Sequence, residues 1–172
     1  MVEILPAHND EHFRLVRELT REYIAWDVSR TTALGLDPSV LMEFQYDQGE
    51  ETFPGDYSPP EGCLLLATFK TNTAGCGAFH KLEPGVCEMK RVYVRPDFRG
   101  HGIGRRLASA LIANAKEVDY ATMRLETVTF MDAAILLYES LGFRRRDPYY
   151  QIPDSFLPIT VFMELALKPS AA

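Results

Sequence analysis

The segment Val92-Tyr-Val-Arg-Pro-Asp-Phe-Arg99-Gly-His-Gly102-Ile-Gly104-Arg-Arg-Leu107 constrains this chain more than any other. It reads as a β-strand, a short turn, and the glycine-rich start of an amphipathic helix. Gly100, Gly102 and Gly104 leave no Cβ in the way of a close approach by a ligand. The helix after the turn directs free N–H groups and the positive end of its dipole back into it, which makes an anion site, above all for phosphate. Between Glu88 and Arg106 lie Lys90, Arg91, Arg95, Arg99, Arg105 and Arg106, against only Glu88 and Asp97. The whole chain carries a net charge of −6, so this local excess of base is suited to an anionic ligand.

Composition narrows the classes. A length of 172 residues, 47% of them hydrophobic, fits one domain over 1–172 with a full core. Cys63, Cys76 and Cys87 form no CxxC pair, so reduced buried thiols are expected, not a disulfide framework or a zinc site. His8, His12 and His80 show no metal spacing, and no metal is expected. There is no basic, apolar leader at Met1–Pro6 and no apolar run long enough to span a bilayer, so the expected location is cytoplasmic, without membrane contact. Residues 1–62 hold 13 acids and 4 bases, and residues 63–172 hold 11 acids and 14 bases. An acidic chain is a poor nucleic-acid binder, and none is expected. The split suits an anionic ligand on the C-terminal part; the N-terminal acids either face a cationic one or are solvated helix faces.

Periodicity gives the element order. Met1–Leu5 is a first strand, ended by Pro6. Asn9 or Asp10 caps a helix running to about Asp27, and a second helix starts after Asp37-Pro38. Asp47–Gly62 reads as a loop. Cys63–Phe69, Gly75–Leu82 and Val86–Val94 form an antiparallel meander with the last turn at Glu83-Pro-Gly85. A helix from Gly102 to about Val118 leads to a strand at Ala121–Val128. Asp132 is placed to cap a helix over Ala133–Leu141, with Gly142 after it in a left-handed position. Strands starting at Phe143 and spanning Thr160–Leu167 end the chain. Strand–helix–strand around the glycine turn implies a parallel pair there. The fold class is α/β, a mixed six- to seven-stranded central sheet with helices on both faces.

The glycine turn is not a P-loop, since Ile103-Gly104-Arg105 lacks the Gly-Lys-Ser/Thr step. It also lacks the GxGxxG spacing and the well-placed acid of a dinucleotide fold. A second segment, Leu137-Tyr138-Glu-Ser-Leu-Gly142-Phe143, lies on a later helix. Together the two resemble the GNAT superfamily of acyl-CoA-dependent N-acetyltransferases. The acyl-CoA signature Arg/Gln-x-x-Gly-x-Gly/Ala is matched by Arg99, Gly102 and Gly104. The signature Leu-Tyr-x-x-x-Gly-Phe is matched by Leu137, Tyr138, Gly142 and Phe143.

That resemblance implies acetyl-CoA as co-substrate and an amine as acceptor; a homodimer is left open. It implies that the backbone of Val92, Tyr93 and Val94 meets the pantetheine arm and that Arg99, Gly100, His101, Gly102, Ile103, Gly104 and Arg105 hold the pyrophosphate. His101 is expected to serve through its backbone. Tyr138 would protonate the leaving thiolate; otherwise it is a core aromatic. Many members carry Asn where this chain has Met131, so one amide contact to the cofactor is missing or comes from the backbone. An ammonium has no lone pair, so a carboxylate must remove its proton. Glu88, four residues before Val92 and expected on its face, is either that base or a salt-bridged strand glutamate; Glu126 is the alternative. Tyr46, Asp47, Tyr57, Tyr149 and Tyr150 lie in segments that flank the acceptor cleft in relatives. The rival readings are a non-catalytic acyl-CoA sensor, which would not need Tyr138 as an acid, and a protein lysine or N-terminal acetyltransferase, which the Asp47–Gly62 loop would disfavour by narrowing the cleft.

Overall fold

A computed structural model describes residues 1–46 and 53–169. The elements are β1 (Val2–Pro6), α1 (Asp10–Ala33), α2 (Pro38–Tyr46), β2 (Cys63–Phe69), β3 (Asn72–Glu83), β4 (Val86–Val94), α3 (Ile103–Glu117), β5 (Thr122–Val128), α4 (Asp132–Ser140), β6 (Arg144–Arg146) and β7 (Thr160–Ala166). The seven strands form one mixed sheet in the order β1-β2-β3-β4-β5-β7-β6. β2 to β4 are the expected antiparallel meander, β1 pairs antiparallel with β2 at its edge, and α3 carries the crossover to β5, the parallel neighbour of β4.

The apolar run of β2 is buried on both faces, as a central strand covered twice must be. Leu65 and Ala67 pack with Ile103, Leu107 and Leu111 of α3. Leu64 and Leu66 pack with Val16 and Leu19 of α1 on the opposite face. Ile135 and Tyr138 of α4 join the α3 side.

Most boundaries fall within a residue of expectation, and three differences have a physical cause. α1 runs to Ala33 instead of Asp27, because residues 28–33 hold no breaker and the chain first turns left-handed at Gly35 (φ 73°). β3 starts at Asn72, since left-handed Lys70 (φ 58°) closes a tight hairpin that pairs Asn72 with Phe69. Asp132 is the first residue of α4; the cap position is Met131, with no capping side chain. Asn9 caps α1 as expected, its side chain accepting from His12 N at 2.9 Å.

Two irregularities of β4 shape the space beside it. Its pairing with β5 stops at Glu88↔Arg124, so the strands part beyond that point. Its register against β3 slips between Ala78↔Lys90 and Cys76↔Tyr93, a bulge at Arg91 (φ 59°) that adds one residue. The extra residue reverses the alternation. Glu88, Lys90 and Tyr93 pair with His80, Ala78 and Cys76, with Ala78, Cys76 and Tyr93 packed in the cluster beneath α1. Val92 lies toward Leu107 and Leu111 of α3. Glu88 and Val92 therefore occupy opposite faces, against the expectation from a strict period of two.

Candidate active site

Where β4 and β5 part, a cleft of about 680 Å³ opens. Its floor is Met89 to Val94 of β4 and Leu125 to Thr127 of β5. One end is made by the turn before α3, one wall by Ala133, Ala134, Leu137 and Tyr138 of α4, and the opposite rim by Tyr23 and Trp26 of α1.

The glycine end is built from backbone. Gly100 (φ 80°) and Gly102 (φ 74°) are left-handed, and no atom lies within 4 Å of where a Cβ would stand on either. The free space faces the helix start, whose cap Gly102 has no capping side chain. Among the described residues, the N–H groups of Ile103, Gly104 and Arg105 donate to no backbone carbonyl; the first bond of that turn is Arg106 N to Gly102 O at 3.1 Å. Free donors at the positive end of a helix dipole are an arrangement suited to an anion. Arg99 ties the turn to the strand through Nε to Val94 O at 3.2 Å, and Arg105 ties α3 to α4 through Ser140 Oγ at 2.7 Å.

Of the residues expected around a cofactor, Val92, Tyr93, Val94, Arg99, Gly100, Gly102, Ile103, Gly104 and Arg105 all line the cleft. The His101 side chain does not. Its ring packs 4.5 Å from Phe69, and its Nδ1 lies 3.2 and 3.1 Å from the carbonyls of Phe98 and Arg99. Met131 lines the wall where many relatives carry Asn, and the Thr127 hydroxyl points at its sulfur at 3.8 Å.

Tyr138 reaches the cleft from α4 with its ring edge against Phe143 (centroids 5.7 Å apart). Burial pushes its phenol up to about 12, so it keeps its proton at neutral pH.

The two glutamates have different surroundings. Glu88 is 3% exposed and does not line the cleft. Tyr149 donates to its Oε1 at 2.7 Å, His80 Nε2 lies 2.9 Å from Oε2, and Lys90 Nζ stands 3.7 Å away. Burial works to raise its pKa, but the His80 bond, the Lys90 charge and the Tyr149 bond outweigh burial and hold it below its ordinary value. Glu126 lines the cleft. It accepts from the Tyr150 hydroxyl and from the Gln45 amide. Burial raises its pKa to about 7; the like charges of Glu88 and Asp27 add to that, while Lys90 and Tyr150 oppose it.

The flanking tyrosines serve these carboxyls. Tyr46 donates to buried Asp27 at 2.7 Å, and Tyr149 and Tyr150 pack edge-on against Phe162. Tyr57 sets its ring against His80 at 5.9 Å. Asp47 lies outside the described residues. Sequence alone does not single out Trp26, Gln45, Asp27 or Phe130, and in it Tyr23 reads as core. The only signal for the aromatic rim is Tyr23 and Trp26, three apart on one helix face, the latter the chain's single tryptophan. The N-terminal acids Glu18 and Glu22 are spent on Arg95, at 2.5 and 2.7 Å.

Among the described residues no cluster of three His, Cys, Asp or Glu could hold a metal, and no helix is long and apolar enough to cross a membrane.

A model of the acetyltransferase (GNAT) family matches residues 14–143. An uncharacterized N-acetyltransferase of Schizosaccharomyces pombe is 36% identical over 167 residues, covering 95% of this chain and 91% of its own. An uncharacterized N-acetyltransferase of Escherichia coli is 30% identical over 78% of this chain and 75% of its own. Among solved structures, the PaiA N-acetyltransferase of Thermoplasma acidophilum in complex with coenzyme A superposes with a TM-score of 0.72 at 18% identity, covering 96% of this chain and 99% of its own. With the sheet order, the parted strands and the glycine cradle, these matches place the chain in the GNAT family of acetyltransferases, as an acyltransferase.

Proposed function

We propose that this chain transfers the acetyl group of acetyl-CoA to a primary amine in a ternary complex, with Glu126 as general base and Tyr138 as general acid. The observation that carries the reading is that Glu126 and Tyr138 line one cleft whose far end is the free helix start at Gly102–Arg105. The residues suit acetyl-CoA: left-handed glycines with open space beside them and unpaired N–H donors fit its pyrophosphate. Acetyl-CoA supplies the activated acetyl group; the protein supplies position, a base and an acid.

Glu126 replaces Glu88 in the role of base. Glu88 is enclosed by His80, Tyr149 and Lys90, outside the cleft and on the face opposite Val92. Glu126 lies in the cleft with a pKa of about 7, where a carboxylate is basic enough to accept a proton yet still ionised in a large fraction of molecules at neutral pH. It takes one proton from the acceptor ammonium. The freed amine attacks the thioester carbonyl, its C–N bond forms and the C–S bond breaks. The departing thiolate takes the Tyr138 proton, and the second N–H proton of the adduct restores the phenol through solvent. Past Glu88, β4 has no β5 partner, so a backbone N–H near Val92 is available to the oxyanion.

A phenol at about 12 is protonated throughout the neutral range and so has a proton to give the departing thiolate. The test is release of free CoA thiol from acetyl-CoA with a panel of amines. Binding of acetyl-CoA with no acceptor-dependent release would mark a sensor instead.

A further inference from the structure

We infer that the acceptor is a free amino acid, whose carboxylate is bound by Arg91 while its amine meets Glu126. This deepens the reading above and rests on Glu126 facing the acceptor.

Three observations converge on Arg91. First, it is the added residue of the β4 bulge, at φ 59°, a region that residues other than glycine, asparagine and aspartate rarely adopt. Such backbone is kept where the surrounding structure over-determines it, commonly at a binding site. Here it turns a basic side chain out of the strand's alternation.

Second, the side chain sits where an acceptor must. A smaller chamber of about 80 Å³ continues the cleft beneath α2, and Arg91, Glu126, Tyr23 and Phe130 line both spaces. Lys90 and Asp27 line the smaller chamber too, so cations and carboxyls share one small space, an arrangement complementary to a zwitterion.

Third, Arg91 has donors to spare. Its guanidinium lies 4.7 Å over the Tyr46 ring, which leaves the N–H edge free. Its Nε is buried with no hydrogen-bond partner, and the side chain enters no ion pair among the described residues. Of the neighbouring charges, Lys90 stands 3.7 Å from Glu88, and Asp27 accepts from the Tyr46 hydroxyl at 2.7 Å while feeling the Arg91 charge from beyond ion-pair distance. A buried donor without an acceptor is costly, and a planar fork of N–H groups matches a carboxylate. The carboxyls of Glu126, Glu88 and Asp27 nearby favour a monoanion over a dianionic phosphate. A peptide N-terminus offers only an amide at that place.

The test compares acceptors sharing one side chain: amino acids, their carboxamides, and the corresponding amines without a carboxyl group, each read by CoA thiol release. The carboxamides have the less basic amines, so without carboxylate recognition they would react at least as well. We expect the wild-type protein to prefer the acid over its carboxamide by about 10- to 100-fold in kcat/KM, the worth of a charge-assisted hydrogen bond, and to show it in KM. Arg91→Gln should bring that ratio toward one by raising KM for the acids, and Arg91→Lys should restore part of it. Carboxamides or peptides turned over as well as the acids would overturn the inference while leaving acetyl transfer intact. An equal fall of kcat on acids and amides in Arg91→Gln would overturn it too. If no member of any series is acetylated although acetyl-CoA still raises the melting temperature, both the inference and the acetyl-transfer reading fall.

Discussion

The two ends of the cleft are made of different material. The end at α3 is backbone: left-handed Gly100 and Gly102, and N–H groups with no backbone partner among the described residues. The acceptor end is side chains: Glu126 held by Tyr150 and Gln45, and Arg91 over Tyr46. Backbone donors offer the same shape whatever residues surround them, and they suit a constant ligand. Side chains from distant segments can be exchanged one at a time, and they suit a site that selects among acceptors. The ends should therefore fail under different substitutions: the first when a Cβ is added, the second when a functional group is removed.

The largest effect is expected at the backbone end. Gly102→Val places a branched side chain in the open cradle and forces it to φ 74°. Acetyl-CoA at ~100 times its dissociation constant should stabilise the wild-type protein by about 2.7 kcal/mol. The variant should lose that thermal shift entirely, although α3 remains. His101→Ala, beside it but outside the cleft, should keep the shift. If Gly102→Val still responds in full, the phosphate does not lie on this helix start.

At the other end, Glu126→Gln should lower kcat/KM at neutral pH by about 10²- to 10⁴-fold, the usual contribution of a general base. Wild-type activity should rise with pH through about 7, as the Glu126 carboxyl loses its proton. The variant should lack that limb and regain activity only as free amine becomes plentiful. An unchanged limb near pH 7 would assign it to another group.

This contrast also explains what the sequence disclosed. The cradle is local: Arg99, Gly102 and Gly104 lie within six positions, and helix-start chemistry depends on residues that are neighbours in the chain. The meander, the crossover and the helix that carries Tyr138 to the cleft wall were legible for the same reason, each marked by a period, a turn or a short motif. The acceptor end joins Gln45, Arg91, Glu126 and Tyr150, which only the sheet order brings together. The bulge was the decisive omission. One added residue at Arg91 moves Glu88 to the face opposite Val92; neither glycine nor proline announces it, and its one trace in the sequence is the break in alternation at Lys90-Arg91.

Tyr138→Phe sharpens the comparison by removing one oxygen and keeping the ring against Phe143. The acetyl-CoA thermal shift should survive while kcat falls about 10²-fold, the low end for a lost acid. The loss should hold at every pH from 6 to 9, because a phenol raised to about 12 does not titrate there. A loss confined to low pH, fading as pH rises toward 9, would mean that the phenol ionises well below that value.

The smallest effect on turnover, and the most discriminating, is expected from Glu88→Gln. Glu88 does not line the cleft, so kcat/KM should stay within a few-fold of wild type. Stability should change instead, by about 1–3 kcal/mol at neutral pH, since the charged bonds to His80 and Tyr149 are weakened in the core. The pH dependence gives each glutamate its own sign. The folded-state pKa of Glu88 lies below its ordinary 4.5, so its contribution is present above that pH and disappears as pH falls through the folded value. The gap in melting temperature between wild type and Glu88→Gln should close in acid. The folded-state pKa of Glu126 is raised to about 7, so its contribution to folding is full below 4.5 and is lost as pH rises through about 7. Wild type should lose stability relative to Glu126→Gln over that interval. The two sites are also coupled, because the Glu88 charge helps to raise Glu126. Removing it should move the acidic limb of kcat/KM to lower pH without abolishing it. A Glu88→Gln variant that loses the limb altogether, and recovers at high pH, would return the role of base to Glu88.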